Sequence, residues 1–284
     1  MTWFRNPWGQ PRVLPVVTGL YILWSILPVA IAILFAFNDG RSRTTWQGFS
    51  LRWFTGDPNG SVLHDPALLS ALEHTLLLGG ICVAVATPLG VALAIGLQRW
   101  RGRGSGTVNT LMMLPLVTPE IVMGVALLLL FLQVFGWIGL GTTAQAIGQV
   151  TFAISYVVVI VRGRLVSIGR EYEEAAADLG ANALDRLVRV LLPLLAPAIL
   201  ASAAVVFALS IDDFVITQYL SSDASTTTVS MLLYSTARGA PTPALNALAT
   251  IALVITLATL ALAFLVYRRF ADKGGAQAVA GIEI

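Results

Sequence analysis

The sequence predicts an all-α polytopic membrane protein with six transmembrane helices. Of its 284 residues, 57% are hydrophobic and only 11% are charged, against about 25% charged in a typical soluble domain. The apolar residues also form runs long enough to cross a bilayer as helices. Because lipid offers no hydrogen-bond partners, the helix is the spanning structure that satisfies every backbone group without closing a barrel.

Six apolar runs qualify as spans, and the segments between them are too short to form a separate domain. We therefore expect one transmembrane domain covering residues 1–284. The predicted spans are 13–37, 68–97, 107–135, 143–166, 191–219 and 246–267.

The basic residues predict the orientation of these spans. With the N-terminus inside, 13 Lys and Arg residues fall on the cytosolic side and 4 on the outer side. Positive residues favour the cytosolic side, so both termini are predicted to be cytoplasmic. This bias accounts for the net charge of +2, and no further basic face indicates a nucleic-acid partner.

The sequence shows no catalytic or metal-binding constellation. Cys82 lies alone inside the second span, where it can form no intrachain disulfide and serves as a small apolar filler. His64 and His74 are ten residues apart in different settings and do not predict a metal site. No Gly-x-x-x-x-Gly-Lys-Ser/Thr segment occurs. We therefore expect a protein that is not an enzyme and that holds no cofactor or metal of its own.

A polar, helix-forming segment lies between Arg170 and Pro193, flanked by apolar runs on both sides. Its acidic residues share one helical face at positions i, i+3 and i+7. These are Glu171, Glu174 and Asp178. A thin apolar stripe runs beside them, formed by Tyr172, Ala175, Ala176 and Leu179. Gly180 then offers a left-handed stop for this helix.

A second helix is predicted to follow this stop. Asn182 can cap it, with Asp185 three residues on in a position like that of a capping box. Pro193 is then expected to open the fifth span, where its missing N–H is tolerated. The segment is thus predicted to be a helix–turn–helix on the cytosolic surface, either a docking site for a partner or an amphipathic interfacial connector.

Several motifs in this chain resemble those of ABC-importer permeases. Glu174-Ala175-Ala176, then Gly180 and Leu192-Pro193, resembles the EAA loop, where the ATPase subunit of such importers grips the membrane subunit. Residues 114–124 (LPLVTPEIVMG) and 210–217 (SIDDFVIT) are similar to the spermidine/putrescine-type, PotC-like branch. The resemblance covers most of residues 13–270. That branch also contains permeases for other small solutes, including aminophosphonates.

The resemblance implies a fold, partners and coupling residues. The fold would be a MetI-like core of helices two to six, about residues 66–270, with the first span packed outside and the EAA loop at about 167–192. The partners would be a second, homologous permease subunit, two ATPase subunits that bind ATP and Mg, and an extracytoplasmic solute-binding protein, at the lipid bilayer of a bacterial inner membrane. The coupling residues would be Glu171, Glu174, Ala175, Ala176, Asp178, Gly180 and Pro193.

Four acidic residues within the predicted spans are candidates for the substrate pathway, because ionisable groups in lipid are costly and rare. They are Glu73, Glu120, Asp212 and Asp213. The rise along each helix places all four in the outer half of the membrane. Glu73 could instead pair with His74, and Glu120 could cap a helix after Pro119. Of the adjacent aspartates, one is expected to face the pathway and the other to tie its helix to a neighbour.

Other features of the spans and loops leave two interpretations open. Proline pairs at Pro115 and Pro119, and at Pro193 and Pro197, suit kinked helices around a cavity, but are also common in membrane helices. Aromatic residues of the first outer loop fit an interfacial anchor, with Trp53 the candidate for a place on the substrate pathway.

Two departures from the resemblance bear on the solute. Glu73-His74-Thr75 stands where relatives more usually show small polar residues, and Gln149 where some carry His. Either could tune a different substrate. The sequence therefore predicts a permease subunit that translocates polyamines, with a permease for another small solute, or a stand-alone secondary carrier, as the alternatives.

Overall fold

The computed structural model describes residues 13–42, 44–100, 102–237 and 242–280. Within these ranges the secondary structure is helical, and the only strand-like pairing there is an isolated bridge between Asn38 and Phe49. The helices are α1 (Val13–Ala36), α2 (Pro66–Arg99), α3 (Ser105–Val117), α4 (Glu120–Gln133), α5 (Thr142–Ile168), α6 (Glu171–Asp178), α7 (Ala183–Asp212), α8 (Val215–Leu220), α9 (Val229–Ala237) and α10 (Pro243–Ala280).

The predicted all-α fold with six spans is confirmed. Five of the described helices are long and apolar enough to cross a membrane, and the bent pair α3 and α4 brings the number to six. The basic residues behind the predicted orientation are only partly described. Arg5, Arg12, Arg43, Arg101 and Arg238, and the side chains of Arg269 and Lys273, lie outside the described part of the chain.

The third span is bent much more sharply than its prolines led us to expect. The chain turns by 110° between α3 and α4. Pro119 disfavours helical geometry in the residue before it, and Thr118 is indeed extended, with ψ of 130°. The helices hold 13 and 14 residues, about 20 Å each. Neither half is therefore long enough to cross a bilayer core of about 30 Å alone.

The chain divides into two compact units. The first consists of Met1–Leu68 and Ala240–Ile251, and the second of Leu69–Gly239 and Ala252–Ile284. The first unit includes α1 and a folded loop after it. In this loop the buried indole of Trp53 donates a hydrogen bond from Nε1 to the Asn38 carbonyl oxygen at 2.6 Å. The Arg52 guanidinium donates to Asp57 Oδ2 at 2.7 Å and lowers the pKa of that carboxyl.

The second unit is built around close packing of α2, α5 and α7. Its main apolar core lies between these three helices, and a smaller core lies between α4, α5 and α8. The two helices α2 and α5 approach each other closely at Gly90. A Cβ atom there would lie 2.5 Å from Val157 Cβ and 3.3 Å from the Ile154 carbonyl oxygen. Gly90 therefore sets how near the two helices can approach.

We expect Gly90→Ala to destabilise the protein, because the new methyl group would collide with a branched side chain and with backbone, neither of which can rotate away. Overpacking of this kind costs about 1–3 kcal/mol. The measurement is the apparent melting midpoint of the purified protein in detergent.

Gly96→Ala on the same helix is the matched control, since a Cβ atom at Gly96 meets nothing within 4 Å. Alanine favours helix over glycine by about 1 kcal/mol, so the control should melt at the same temperature or higher. An equal midpoint for both variants would contradict the close α2–α5 contact.

Candidate functional site

Three of the four predicted pathway carboxylates line one cavity of about 110 Å³ in the second unit. The cavity lies where the start of α4 and the end of α7 meet α5. Its polar lining consists of Glu120, Asp212, Asp213, Gln149 and Ser210, and its other lining residues include Cys82, Phe152 and Phe214. The structure thus brings together acidic residues that are about 90 positions apart in the sequence.

Each of these carboxylates lies next to a break in a helix. Glu120 is the first residue of α4 and follows the break at Thr118 and Pro119. Within the described residues its side chain makes no hydrogen bond, so the capping role considered from the sequence is not observed there. Asp212 is the last residue of α7, and Asp213, with ψ of 116°, turns the chain away before α8 begins. Glu120 and Asp212 thus lie at helix ends, beside breaks in the helical backbone.

The Asp213 carboxylate is held by hydrogen bonds from the helix that follows it. Its Oδ1 accepts from the Ile216 amide at 3.2 Å, and its Oδ2 accepts from the Thr217 amide at 3.1 Å. Gln149 Nε2 donates to the same Oδ2 at 3.1 Å. Free amides at a helix start need acceptors, and a carboxylate there is also favoured by the helix dipole. Asp213 is therefore the aspartate that ties its helix to a neighbour.

Gln149 of α5 connects this turn to the end of α7. Its Oε1 accepts from Ser210 Oγ at 2.6 Å, while its Nε2 also donates to the Ser210 carbonyl oxygen at 3.3 Å. Both ends of the buried amide are thereby satisfied, as a polar group in a membrane interior requires. The sequence singled out Gln149 only as a departure from relatives, not as a group that orients Asp213.

Glu120 and Asp212 differ from Asp213 in having no such partners. Both side chains are exposed, and within the described part of the chain neither makes a hydrogen bond or an ion pair. Their carboxylates line the cavity with free acceptor oxygens. Of the two aspartates that line the cavity, Asp212 is therefore the one with free acceptor oxygens, and together with Glu120 it can accept hydrogen bonds from a cationic ligand.

A second buried polar cluster ties α2 to the loops beyond α8. Gln145 Nε2 donates to the carbonyl oxygens of Thr217 and Thr226, both at 2.9 Å. Its Oε1 is thus the acceptor for His74 Nε2 at 2.8 Å. Gln145 was not predicted from the sequence. The available signal was the spacing of Gln145 and Gln149 by four residues, which puts two amides on one face of an apolar span.

Neither of the two remaining pathway candidates is among the residues that line this cavity. Glu73 is exposed on α2 and is not among the residues that line the cavity. Its considered pairing with His74 is not formed, since His74 is buried and bonded to Gln145. Trp53 belongs to the first unit, where its indole is buried within the outer loop.

The helix–turn–helix predicted between Arg170 and Pro193 is present. Gly180 has φ of +85°, the left-handed geometry expected for a helix stop. Asn182 Oδ1 accepts a hydrogen bond from the Asp185 amide at 2.9 Å, so the predicted cap is formed. Most of the predicted coupling residues are exposed: Glu171, Glu174, Ala175, Asp178, Gly180 and Pro193. Large apolar side chains beside them are exposed too, namely Tyr172, Leu179, Leu184 and Val188.

Pro193 lies in the first turn of the α-helical stretch Leu192–Asp212, as the sequence predicted. The candidate span to which this stretch belongs nevertheless begins earlier, at Ala183. A π-helical turn at Arg186–Leu191 precedes the proline. The wider turn changes the hydrogen-bond pattern and so accommodates a residue that has no N–H to donate. The second helix of the loop is therefore the continuation of the fifth span.

Comparisons with known proteins place these features in a family. The family described as binding-protein-dependent transport system inner membrane component matches residues 86–273. The putrescine transport system permease protein PotI of Escherichia coli K12 is 35% identical over 88% of this chain and 86% of its own length. The spermidine/putrescine transport system permease protein PotC of the same strain is 33% identical over 85% of this chain and 88% of its own length.

Solved structures show the same fold at low sequence identity. A bacterial ABC transporter involved in the import of the acidic polysaccharide alginate matches with a TM-score of 0.73 and 17% identity, over 90% of this chain and 94% of that one. The MetNI methionine ABC transporter in an inward-facing conformation matches with a TM-score of 0.58 and 17% identity, over 71% of this chain and 93% of that one.

We expect Asp213→Asn to lower the stability of the protein, because an amide can accept through one oxygen only and would point its NH₂ group at other donors. A hydrogen bond to a charged group contributes about 1.5–3 kcal/mol, so a loss of at least about 1.5 kcal/mol is expected. The melting midpoint in detergent measures it.

Asp212→Asn is the matched control, one residue away in the same cavity. Its carboxylate has no partner within the described residues, so its midpoint should stay at the wild-type value. If Asp212→Asn lowered the melting midpoint as much as Asp213→Asn, the roles given to the two aspartates would be wrong.

Proposed function

The chain belongs to the family of binding-protein-dependent transport system inner membrane components, and we propose that it translocates polyamines as a permease subunit of an ATP-driven importer. The relatives reported above are named for putrescine and spermidine transport. The observation that carries the proposal is the cavity in which Glu120 and Asp212 present unpaired carboxylates beside the fixed Asp213.

Polyamines are flexible chains of methylene groups with several ammonium groups, and the cavity has features that suit both parts. Unpaired carboxylates can replace the water around an ammonium group through charge-assisted hydrogen bonds. Phe152 and Phe214 line the same cavity and provide apolar surface for the methylene chain. Three carboxylates that share one space also repel each other when ionised, and a cation with several charges relieves this repulsion.

The same reasoning disfavours the alternatives considered from the sequence. An anionic solute, or a zwitterion with a phosphonate group such as an aminophosphonate, would meet acidic groups without a basic lining residue among those that form the cavity. A stand-alone carrier would have no use for the exposed apolar and acidic surface around α6. Such a surface rimmed by charges fits a docking site for another protein.

We propose that this surface receives the ATPase subunit. The surface comprises α6 and the start of α7, with the exposed acidic and apolar residues named above. The assembly would contain a second permease subunit, two ATPase subunits that hold ATP and Mg, and an extracytoplasmic binding protein that delivers the solute. One of the matching alginate transporter structures is a complex with a ligand-bound periplasmic protein. In the proposed orientation both termini and α6 lie on the cytoplasmic side of a bacterial inner membrane.

Removal of either free carboxylate should reduce polyamine uptake. Glu120→Gln and Asp212→Asn keep shape and polarity but lose one charge-assisted hydrogen bond, worth about 1.5–3 kcal/mol. Uptake of putrescine or spermidine should fall roughly ten- to a hundredfold. The measurement is initial uptake by the reconstituted complex with its own binding protein, beside a neutral and an anionic solute.

Asp39→Asn is the control, since Asp39 is an exposed carboxylate of the outer loop whose side chain accepts no hydrogen bond within the described residues. This variant should transport at the wild-type rate, and all three variants should assemble normally. Transport of the neutral or anionic solute alone by the wild type would rule out polyamines while leaving an importer permease.

The turn at Gly180 should be needed for coupling to ATP hydrolysis. With φ of +85°, Gly180→Val forces a β-branched residue into left-handed geometry, which such residues avoid. We expect less ATPase association and less uptake, with membrane insertion intact. Glu174→Lys should act in the same direction by reversing an exposed charge of the docking surface.

Gly180→Asn is the matched control, because asparagine tolerates left-handed geometry best among the residues with side chains. It should retain most association and uptake, measured by copurification of the ATPase and by transport assay. If the Gly180→Val protein copurifies with the ATPase and transports as well as the Gly180→Asn protein, the turn is not part of the docking surface.

A further inference from the structure

Glu173 is the acidic residue of α6 that faces the rest of the protein. Its side chain is 16% exposed, and it forms an ion pair with Arg99, whose side chain is 41% exposed. Arg99 is the last residue of α2, and Glu173 lies in the first turn of α6. A cation at a helix end and an anion at a helix start are both favoured by the helix dipoles. The pair therefore joins the termini of two helices that are distant in the sequence.

This ion pair crosses space that is not filled by apolar packing. A cavity of about 160 Å³ lies between α2, α5 and α6, and both Arg99 and Glu173 line it. A second cavity of about 290 Å³ is lined by the same two residues together with Arg170, Glu174 and Arg186. Both members of the pair line both cavities, so their charges connect α6 to α2 beside space that side chains do not fill.

A second polar link begins at the neighbouring residue of α2. Arg162 of α5 donates from Nε to Gln98 Oε1 at 3.4 Å and from Nη1 to Asn109 Oδ1 at 2.7 Å. Gln98 precedes Arg99 in α2, and Asn109 lies in α3. The Arg162 guanidinium thus connects α2, α5 and α3, and α3 leads through the 110° bend to α4. Glu120 of the cavity is the first residue of α4.

We propose that Arg99 and Glu173 are positioning residues that transmit the movement of α6 to the spans, with Arg162 continuing the link to α3. The proposal rests on the proposed function, in which the ATPase docks on the exposed face of α6. When the ATPase displaces α6, the ion pair moves α2 with it, and the Arg162 link moves α3 and so the start of α4. Without the pair, α6 can move while α2 stays in place, and ATP hydrolysis is separated from transport.

The test is the ratio of solute transported to ATP hydrolysed by the reconstituted complex, measured with Glu173→Gln, which removes the charge and keeps the shape. The ion pair between α2 and α6 is partly exposed and therefore of modest strength. Its loss should lower the ratio of solute transported to ATP hydrolysed roughly fivefold. Copurification of the ATPase should stay at the wild-type level, because the exposed face of α6 is unchanged. Arg162→Met, which keeps the length but removes the donors, should lower the ratio in the same way.

Two further variants separate a specific link from a general structural effect. The charge swap Arg99→Glu with Glu173→Arg restores an ion pair, but each charge then meets the unfavourable end of its helix dipole. The swap should therefore recover part of the ratio. Arg41→Gln is the control, since Arg41 is exposed in the loop after α1 and makes no ion pair within the described residues. This variant should match the wild type.

Three results would overturn the link: a wild-type ratio in Glu173→Gln, a swap no better than the single variant, or loss of ATPase association in Glu173→Gln. Failure of the proposed function is seen separately in the wild type. A wild-type complex that transports another solute still tests the link with that solute, whereas a wild type that binds no ATPase overturns both.

Discussion

The cavity depends on the hydrogen bonds that satisfy the free backbone groups where the helix is interrupted at Asp213. A membrane interior supplies no water for free amides and carbonyls, so a broken helix is tolerated only where protein groups satisfy them. Asp213 provides this through its carboxylate, which accepts from the amides of Ile216 and Thr217. Its carbonyl oxygen in turn accepts from the hydroxyls of Thr217 and Ser230. Because these bonds stabilise the break, α7 can end inside the unit and leave a cavity beside α5.

The same hydrogen bonds distinguish the two adjacent aspartates. The Asp213 carboxylate accepts hydrogen bonds from the amides of α8 and from Gln149, and these lone pairs are not free to bind a ligand. The other lies one residue earlier, at the end of α7, with its oxygens unused by the described residues. In the proposed function, stability and ligand attraction thus belong to different side chains. Substitutions at Asp212 or Glu120 would then change the attraction for a cation while the hydrogen bonds of Asp213 stay in place.

The parts of the structure that depend on local chemistry could be predicted from the sequence. The spans follow from apolar runs, and the stop at Gly180 and the cap at Asn182 follow from residues that favour those positions. What could not be predicted depends on distant partners or on the degree of a local effect. The bonds of Gln149 join residues 61 and 64 positions apart, so no local pattern indicates which aspartate they hold. Prolines indicate a disturbance, but the 110° bend and the π-helical turn before Pro193 depend on how neighbouring groups compensate.

The packing of the second unit also limits how movement can pass from α6 to the cavity. The apolar core between α2, α5 and α7 includes Val157, Val161 and Leu195, all fully buried, and Gly90 leaves no room between the first two helices. Densely packed cores move as rigid bodies rather than deform. In the proposed coupling, a displacement of α6 would therefore pass through the polar ends of these helices rather than be absorbed between them. The bend between α3 and α4 is a place in this unit where the backbone already departs from helical geometry, and a change there would reorient Glu120 relative to Asp213.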